Sequence, residues 1–119
     1  MQIDTIERAL QAARAAVDRR GEEVVILDMR GLMTICDYFV ICNGRSRLHV
    51  EAIAQEIEEQ MSAQGIRMAQ SEGIPDATWV ILDYLDVVVH IFEPEARKFY
   101  NLERLWGDAP RVELSEDEG

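Results

Sequence analysis

The stretch from Trp79 to Pro94 constrains the fold more than any other part of this chain. Two runs rich in β-branched and aromatic residues, Trp79–Leu82 and Val87–Phe92, flank a short segment that contains polar residues, which is the pattern of a β-hairpin. Three successive valines begin the second run, and branching at Cβ restricts χ1 in a helix and favours a strand. This second strand is apolar on both faces and needs cover on both sides. The sequence therefore predicts a hairpin in the middle of the fold or against a partner.

Hydrophobic spacing and turn residues predict two amphipathic helices. The first starts at an N-cap, Asp4, with Glu7 placed to complete a capping box, and ends in cations before a left-handed Gly21. Gly65 closes the second helix. The buried stripe expected on the second helix consists of Leu48, Ile53, Ile57 and Met61.

The predicted elements alternate between helices and short strands. In chain order they are helix Thr5–Arg20, strand Glu23–Met29, strand Asp37–Asn43, helix Ser46–Gln64, a short edge strand Ile66–Met68, a loop over Gln70–Asp76, the hairpin, and a short helix from Glu95 to Gly107. This order predicts an α/β fold in which helices flank a mixed β-sheet. We expect one domain over residues 1–110 and an acidic, mobile tail over residues 111–119.

Length and composition limit the class of protein. A chain of 119 residues, 48% of them apolar, can build a core without disulfides or metals. Its longest apolar runs fall far short of the roughly 20 residues that span a bilayer, and no signal-peptide pattern opens the chain. Cys36 and Cys42 lie in an apolar, strand-like segment and are expected to be reduced core residues. We therefore expect a cytoplasmic protein that does not enter membranes.

The charge balance limits the choice of partner. Twelve basic and twenty-three acidic side chains give a net charge of −11. Phosphate backbones are bound by clustered Lys and Arg, so this balance disfavours direct nucleic-acid binding. It favours a basic protein partner, although acidity could equally serve solubility alone.

Two short segments are candidates for phosphate or metal chemistry. The Asn43–Ser46 turn joins a strand to a helix, but it contains one Gly and no following Lys, so a tight turn with Ser46 as N-cap is favoured over an anion site. Nucleotidyltransferases combine such a turn with two carboxylates on one strand face, which hold two metal ions. Asp83 and Asp86 are three apart across a turn, so we expect them to bond their own backbone. A magnesium-dependent nucleotidyltransferase is therefore the weaker alternative.

The two histidines do not define an active site. His90 stands alone in a strand and is expected to be a hydrogen-bonded core or interface residue, while His49 lies near the start of the second helix with no obvious partner. Two Cys and two His without ligand-pair spacing do not support zinc. No nucleophile and base motif is present. From the residues we expect no catalytic residue, no metal and no cofactor.

Aromatic residues are concentrated in the last third of the chain, and such residues are enriched at the centres of protein interfaces. Phe99 is expected to fill the core of this small domain. Trp79 begins its strand beside a loop and Tyr84 lies in the hairpin turn, so both are expected to be hard to bury. They are the better candidates for contact with a partner.

Several of these segments resemble the ribosomal silencing factor family, also called RsfS or Iojap. The motifs that carry the resemblance are Asp37-Tyr38-Phe39-Val40-Ile41-Cys42, Gly44-x-Ser46, Ala52-Ile53-Ala54, Trp79-Val80-Ile81-Leu82-Asp83-Tyr84, Val88-Val89-His90-Ile91-Phe92 and Arg97-x-Phe99-Tyr100-x-Leu102-Glu103-x-Leu105-Trp106-x-Asp108-Ala109. They stand in the family's order and extend from about Val24 to Pro110.

The resemblance implies a small α/β domain related in fold to nucleotidyltransferases but without their catalytic residues. Members of the family bind the large ribosomal subunit through ribosomal protein L fourteen (uL-fourteen), block joining of the small subunit and lower translation when nutrients are scarce. Related organelle proteins take part in large-subunit assembly, which gives an alternative function. The sequence also allows a homodimer that uses part of the same surface. The residues expected to contact the partner are Trp79, Leu82, Tyr84, Tyr100, Leu105 and Trp106.

Two departures from the family pattern concern local geometry. Arg47-Leu48-His49 follows the Gly-x-Ser turn, where members often carry acidic or amide side chains. Leu85 occupies a turn position that is often Gly, and Leu resists a positive φ. The residues do not decide which apolar face of the hairpin is core and which is contact surface.

Overall fold

A six-stranded mixed sheet forms the centre of the molecule in the computed structural model, which describes residues 4–73 and 78–114. The strands lie in the order β3-β4-β5-β2-β1-β6. In chain order the elements are α1 (Thr5–Asp18), β1 (Glu22–Asp28), β2 (Tyr38–Asn43), α2 (Arg47–Ala63), β3 (Gln70–Gly73), β4 (Trp79–Asp83), β5 (Val87–Phe92), α3 (Pro94–Tyr100), α4 (Leu102–Leu105) and β6 (Arg111–Val112). The predicted class, an α/β fold with helices on a mixed sheet, is confirmed.

The predicted hairpin forms and lies inside the sheet. β4 and β5 pair antiparallel from Trp79 opposite Phe92 to Asp83 opposite Val88. On its other side β5 pairs with β2 in parallel, from Tyr38 opposite Val87 onward. A strand with neighbours on both sides and helices above and below must be apolar on both faces. This confirms the expectation drawn from the valine run.

The two faces of the sheet carry two separate cores. One core lies between the sheet and the helices α1 and α2. Alternate side chains of the strands point to this face and pack against the apolar side of both helices. This core includes Val40, Val87, Val89, Ile91 and Ile53. The second lies under α3, α4 and the segment after β1. It contains Leu27, Met29, Cys36, Phe39, Ile41, Phe92 and Ala109. Both faces of β5 are therefore core.

The ends of α1 differ from the predicted caps. Asp4 occupies the N-cap position but its side chain makes no capping hydrogen bond. The left-handed residue at the other end is Arg20, with φ 62°, and not Gly21. Gly21 is needed for a different reason, because a Cβ there would lie 2.9 Å from the carbonyl oxygen of Ala16. The N–H of Gly21 donates to this oxygen at 2.8 Å and closes the helix.

α2 follows the prediction with one exception. Ser46 is its N-cap and accepts a hydrogen bond from the N–H of His49 at 3.2 Å. Gly65 ends the helix with φ 77°. Leu48, predicted in the buried stripe, is 77% exposed, because the stripe begins at Val50 instead. Among the described residues, no helix is long and apolar enough to cross a membrane.

The third strand is displaced from its predicted place. Residues 66–68 form no strand, and β3 lies at Gln70–Gly73, inside the segment predicted as a loop. The position of β3 is set by its neighbour β4, whose edge forms hydrogen bonds with Gln70 through Gly73. All four side chains of β3 are exposed. Ile66 instead packs into the first core at the end of α2. Residues 74–76 of the predicted loop lie outside the described residues.

The C-terminal part also departs from the prediction. The expected single helix from Glu95 to Gly107 is two helices, because Asn101 adopts a left-handed conformation with φ 42°. The tail predicted to be mobile from residue 111 begins with β6, in which Arg111 and Val112 pair antiparallel with Leu27 and Ile26. A free edge of β1 is thereby covered. Residues 115–119 of the predicted tail lie outside the described residues.

Leu85 in the hairpin turn has a positive φ of 73°. For a side chain with a Cβ this conformation is disfavoured by about 1–2 kcal/mol, and Gly avoids the penalty. We expect Leu85→Gly to raise the free energy of unfolding by about 1 kcal/mol, after allowance for the greater flexibility of Gly in the unfolded chain. Urea unfolding followed by circular dichroism measures the change.

The matched control is Leu85→Ala, which removes the same exposed side chain but keeps a Cβ at a positive φ. It should show no comparable gain in stability. Equal stability of the two variants would contradict the assignment of strain to this residue.

Candidate partner-binding site

The second face of the sheet presents an aromatic cluster that links the hairpin to α3. The Trp79 ring stacks on Phe92 with centroids 5.0 Å apart and lies 4.5 Å from Tyr100. Phe99 meets Tyr100 edge to face at 5.0 Å. Such pairs add to the stability that area burial provides, and they fix ring orientation. We use the name aromatic surface for the part of this layer that reaches solvent, formed by Trp79, Phe99, Tyr100, Leu105 and Trp106.

The aromatic surface is exposed to an extent that folding does not explain. Phe99 is 81% exposed, Leu105 68% and Tyr100 43%. Trp79 and Trp106 are half-buried and pack against the second core. Exposed apolar side chains grouped around half-buried tryptophans are typical of a protein contact site.

The structure corrects three of the sequence-based assignments. Leu82 is 1% exposed and Tyr84 3%, so neither of these predicted contact residues reaches the surface. Leu82 alternates onto the face covered by α1 and α2, and the Tyr84 ring turns into the same core although its backbone lies in the turn. Phe99, predicted to fill the core, is exposed because Ala96 faces the sheet from α3 instead. Of the other predicted contact residues, Trp79 and Tyr100 have rings 4.5 Å apart, Trp79 and Trp106 both pack against the second core, and Leu105 is exposed.

A buried arginine holds the two short helices in place, and the sequence analysis missed it. The Arg97 Nη1 donates to Asn43 Oδ1 at 2.8 Å, and its Nε donates to Glu103 Oε1 at 2.9 Å. Arg97 is 8% exposed, and Asn43 lies at the end of β2. A guanidinium between α3, α4 and the sheet fixes the angle at which Phe99 and Leu105 project. The signal available in the sequence was an arginine one turn before a helix-breaking Asn, followed by Glu.

The residues considered for metal chemistry have other roles. Asp83 Oδ1 accepts a hydrogen bond from the N–H of Leu85 at 2.7 Å, as predicted for a turn residue. Asp86 Oδ2 instead accepts from Arg8 Nη1 at 3.1 Å. Within residues 4–73 and 78–114 no three His, Cys, Asp or Glu side chains are grouped so that they could hold a metal ion. The Asn43–Ser46 turn ends in the N-cap of α2, as predicted.

The two cysteines and His49 have structural roles. Cys36 and Cys42 are both free and buried, as predicted, and burial raises the pKa of Cys36 to about 11 and that of Cys42 to about 12. Neither thiol is therefore a nucleophile at neutral pH. His49 joins two segments, because its Nδ1 accepts from the N–H of Arg45 at 2.9 Å and its Nε2 lies 2.8 Å from the carbonyl oxygen of Arg19.

His90 is the buried histidine beneath the aromatic surface. Its Nδ1 accepts a hydrogen bond from Trp79 Nε1 at 3.2 Å, and its ring lies 4.7 Å from that of Phe39. Burial lowers the pKa of His90 to about 4. The imidazole is therefore neutral at physiological pH, and it orients Trp79. The expectation of a hydrogen-bonded core histidine is confirmed.

The lowered pKa of His90 predicts a loss of stability in mild acid. The unfolded chain binds the proton near the ordinary pKa of 6.5, whereas the folded chain resists it down to about 4. Stability is therefore fully present above about pH 6.5 and falls as the pH drops towards 4. Between pH 7 and pH 5 the free energy of unfolding should fall by about 2 kcal/mol through this residue.

Urea unfolding at both pH values, on wild type and on His90→Gln, measures this contribution. The variant keeps a polar side chain of similar size but does not titrate, so its stability should change less between the two pH values. An equal fall in both proteins would show that other groups cause the acid sensitivity.

The site thus consists of exposed apolar and aromatic side chains on a chain with a net charge of −11, and the described residues hold no cluster of His, Cys, Asp or Glu fit for a metal ion. In a small α/β protein these features are typical of one that binds another protein. The chain belongs to the ribosomal silencing factor family, since the sequence model of that family, "Ribosomal silencing factor during starvation", matches residues 2–119. The family is non-enzymatic.

Individual relatives agree with this assignment. The chain is 48% identical to ribosomal silencing factor RsfS of Bacillus subtilis over 103 residues, which cover 87% of each chain. It is 34% identical to the chloroplastic protein Iojap of maize over 92% of this chain and 47% of the relative. A crystal structure of a Chromobacterium violaceum protein superposes with a TM-score of 0.85 at 30% identity, covering 88% of each chain. One from Bacillus halodurans gives a TM-score of 0.76 at 44% identity over 87% and 94% of the two chains.

Proposed function

We propose that this protein silences ribosomes by binding the large subunit through ribosomal protein L fourteen (uL-fourteen). Bound there, it blocks joining of the small subunit and represses translation when nutrients are scarce. Membership of the ribosomal silencing factor family supports this proposal. The observation that carries it is the aromatic surface, an exposed apolar site on a chain with a net charge of −11.

The proposed contacts are apolar at the centre and electrostatic around it. Phe99, Tyr100 and Leu105 offer the exposed area, with Trp79 and Trp106 beneath them. Leu82 and Tyr84 are buried, so they are not among the proposed contact residues. The acidic surface attracts a basic protein and raises the rate of encounter, while ribosomal RNA is repelled. The proposed function places the protein in the cytoplasm, where it meets the ribosomes that it silences.

Two finer expectations belong to this proposal. A relation in fold to nucleotidyltransferases is supported by the turn of Gly44 and Ser46, which leads from β2 into α2 as the resemblance implies. A homodimer through the aromatic surface would compete with the ribosome, because both would cover Phe99 and Leu105.

Co-sedimentation with isolated large subunits at near-physiological salt tests the proposal directly. The protein should pellet with large subunits and not with small ones, and its addition should lower the yield of joined ribosomes. The binding should weaken as salt rises, because charges of opposite sign contribute to it. Failure to pellet with large subunits would overturn the proposal. Precursor particles accumulating in a deletion strain would favour the assembly alternative.

A further inference from the structure

Two exposed aliphatic side chains lie at the end of the hairpin opposite Trp79. Ile35, just before β2, is 81% exposed, and Leu85, in the turn between β4 and β5, is 64% exposed. Their segments are joined by the backbone, since the N–H of Asp37 donates to the carbonyl oxygen of Asp86 at 2.7 Å. Neither side chain belongs to a core cluster. Their exposure therefore costs hydration free energy without stabilising the fold.

The backbone of Leu85 makes this residue still less favourable for folding. Its φ of 73° is a conformation that Gly or Asn adopts more readily. The turn is held by the bond from the N–H of Leu85 to Asp83 Oδ1 and by the bond from the N–H of Tyr84 to the carbonyl oxygen of Val87. A large apolar side chain that is kept exposed on a strained backbone points to a role outside the fold.

Three carboxylates lie within two residues of Ile35 or Leu85 along the chain. Asp37, Asp83 and Asp86 all lie near enough to Cys36 to add to the rise in its pKa that burial causes. Asp86 is paired with Arg8 at 3.1 Å. Asp37 lies near enough to Arg30 to interact with its charge, although Arg30 is itself paired with Asp28 at 2.7 Å. Asp83 forms no ion pair within the described part of the chain. Negative charge around an apolar contact repels RNA and acidic lipid, and it attracts a basic polypeptide.

We propose that Ile35 and Leu85 form a second docking site, which binds a basic segment of a large-subunit protein. An apolar side chain of that segment packs against Ile35 and Leu85, and its Lys or Arg side chains pair with Asp37 and Asp83. The site rests on the proposed function and extends it, because it lies at the far end of the hairpin from the aromatic surface. Two separated contacts fix the orientation of the bound protein, which a single apolar site leaves free to rotate.

The test compares Leu85→Gly and Ile35→Ser with wild type in the full chain. The affinity for isolated large subunits, measured by co-sedimentation over a range of subunit concentrations, should fall about tenfold in each variant. Leu85→Gly should also be more stable in urea than wild type. A change that raises stability and lowers binding cannot act through unfolding.

The matched control is Leu48→Ser, since Leu48 is 77% exposed and lies at the start of α2, outside both proposed sites. It should bind as wild type does. If wild type binds large subunits and both test variants bind equally well, the second docking site is overturned while the proposed function stands. If wild type does not bind, the proposed function fails and the second site fails with it.

Discussion

Phe99→Ser combined with Tyr100→Ser should lower the affinity for large subunits by about a hundredfold. The two rings form the exposed part of the aromatic surface, and truncation of a central aromatic side chain at an interface costs more than that of its neighbours. Co-sedimentation measures the loss. The same double variant should no longer reduce the joining of subunits, because both effects depend on one contact.

The stability of that variant must be known before its binding is interpreted. Phe99 is 81% exposed, so Phe99→Ser alone should change the free energy of unfolding by no more than about 0.5 kcal/mol. Tyr100 packs on Trp79 at 4.5 Å, and its loss should cost about 1 kcal/mol. The matched control is Val17→Ser with Leu48→Ser, two exposed aliphatic residues outside the aromatic surface. Binding by the double aromatic variant that equals that of this control would contradict the proposed contact surface.

Arg97→Ala should destabilise the fold by about 3 kcal/mol, the largest effect on stability that we expect from a single polar side chain here. The substitution leaves Asn43 Oδ1 without its donor and removes the nearer of two cations on Glu103, whose other carboxylate oxygen lies 3.5 Å from Arg111. Asn43 is 2% exposed, so water does not easily replace the lost bond. Thermal or urea unfolding measures the change.

Lys98→Ala is the matched control, because Lys98 is the next residue on α3 and its side chain is exposed. It should leave stability within about 0.5 kcal/mol of wild type. Arg97→Lys should recover only part of the loss, since an ammonium cannot reproduce two directed guanidinium bonds. Equal stability of Arg97→Ala and Lys98→Ala would show that the buried network contributes nothing.

The candidate site could be predicted only in part from the chain. Trp79 was predicted as a contact residue from its place beside a loop and Tyr100 from its aromatic segment, and their rings lie 4.5 Å apart. Tyr84 was assigned wrongly because its position in a turn indicates an exposed backbone but not the direction of the side chain. Phe99 was assigned wrongly because a seven-residue helix can turn either face to the sheet, and the Ala96 side decides it.

The sequence by itself determined the hairpin, the helices α1 and α2, the caps at Ser46 and Gly65, and the absence of carboxylate spacing for metal chemistry at Asp83 and Asp86. These depend on local rules: β-branching, 3.6-residue periodicity, capping chemistry and turn geometry. Short segments whose structure depends on a neighbouring strand were not determined in this way. β3 and β6 exist because the edges of β4 and β1 supply hydrogen-bond partners.

Only the tertiary structure decided which apolar residues became core and which stayed at the surface. Leu82 and Tyr84 are buried in the core under two helices from distant parts of the chain, whereas Phe99 is 81% and Leu105 68% exposed. The left-handed Asn101 and the buried Arg97 set the angle of α3 and α4, and the partner that buries Arg97, Asn43, lies 54 residues away in the sequence. The physical reason is that burial is a property of the neighbours that a residue meets, and the sequence alone does not state which segments meet.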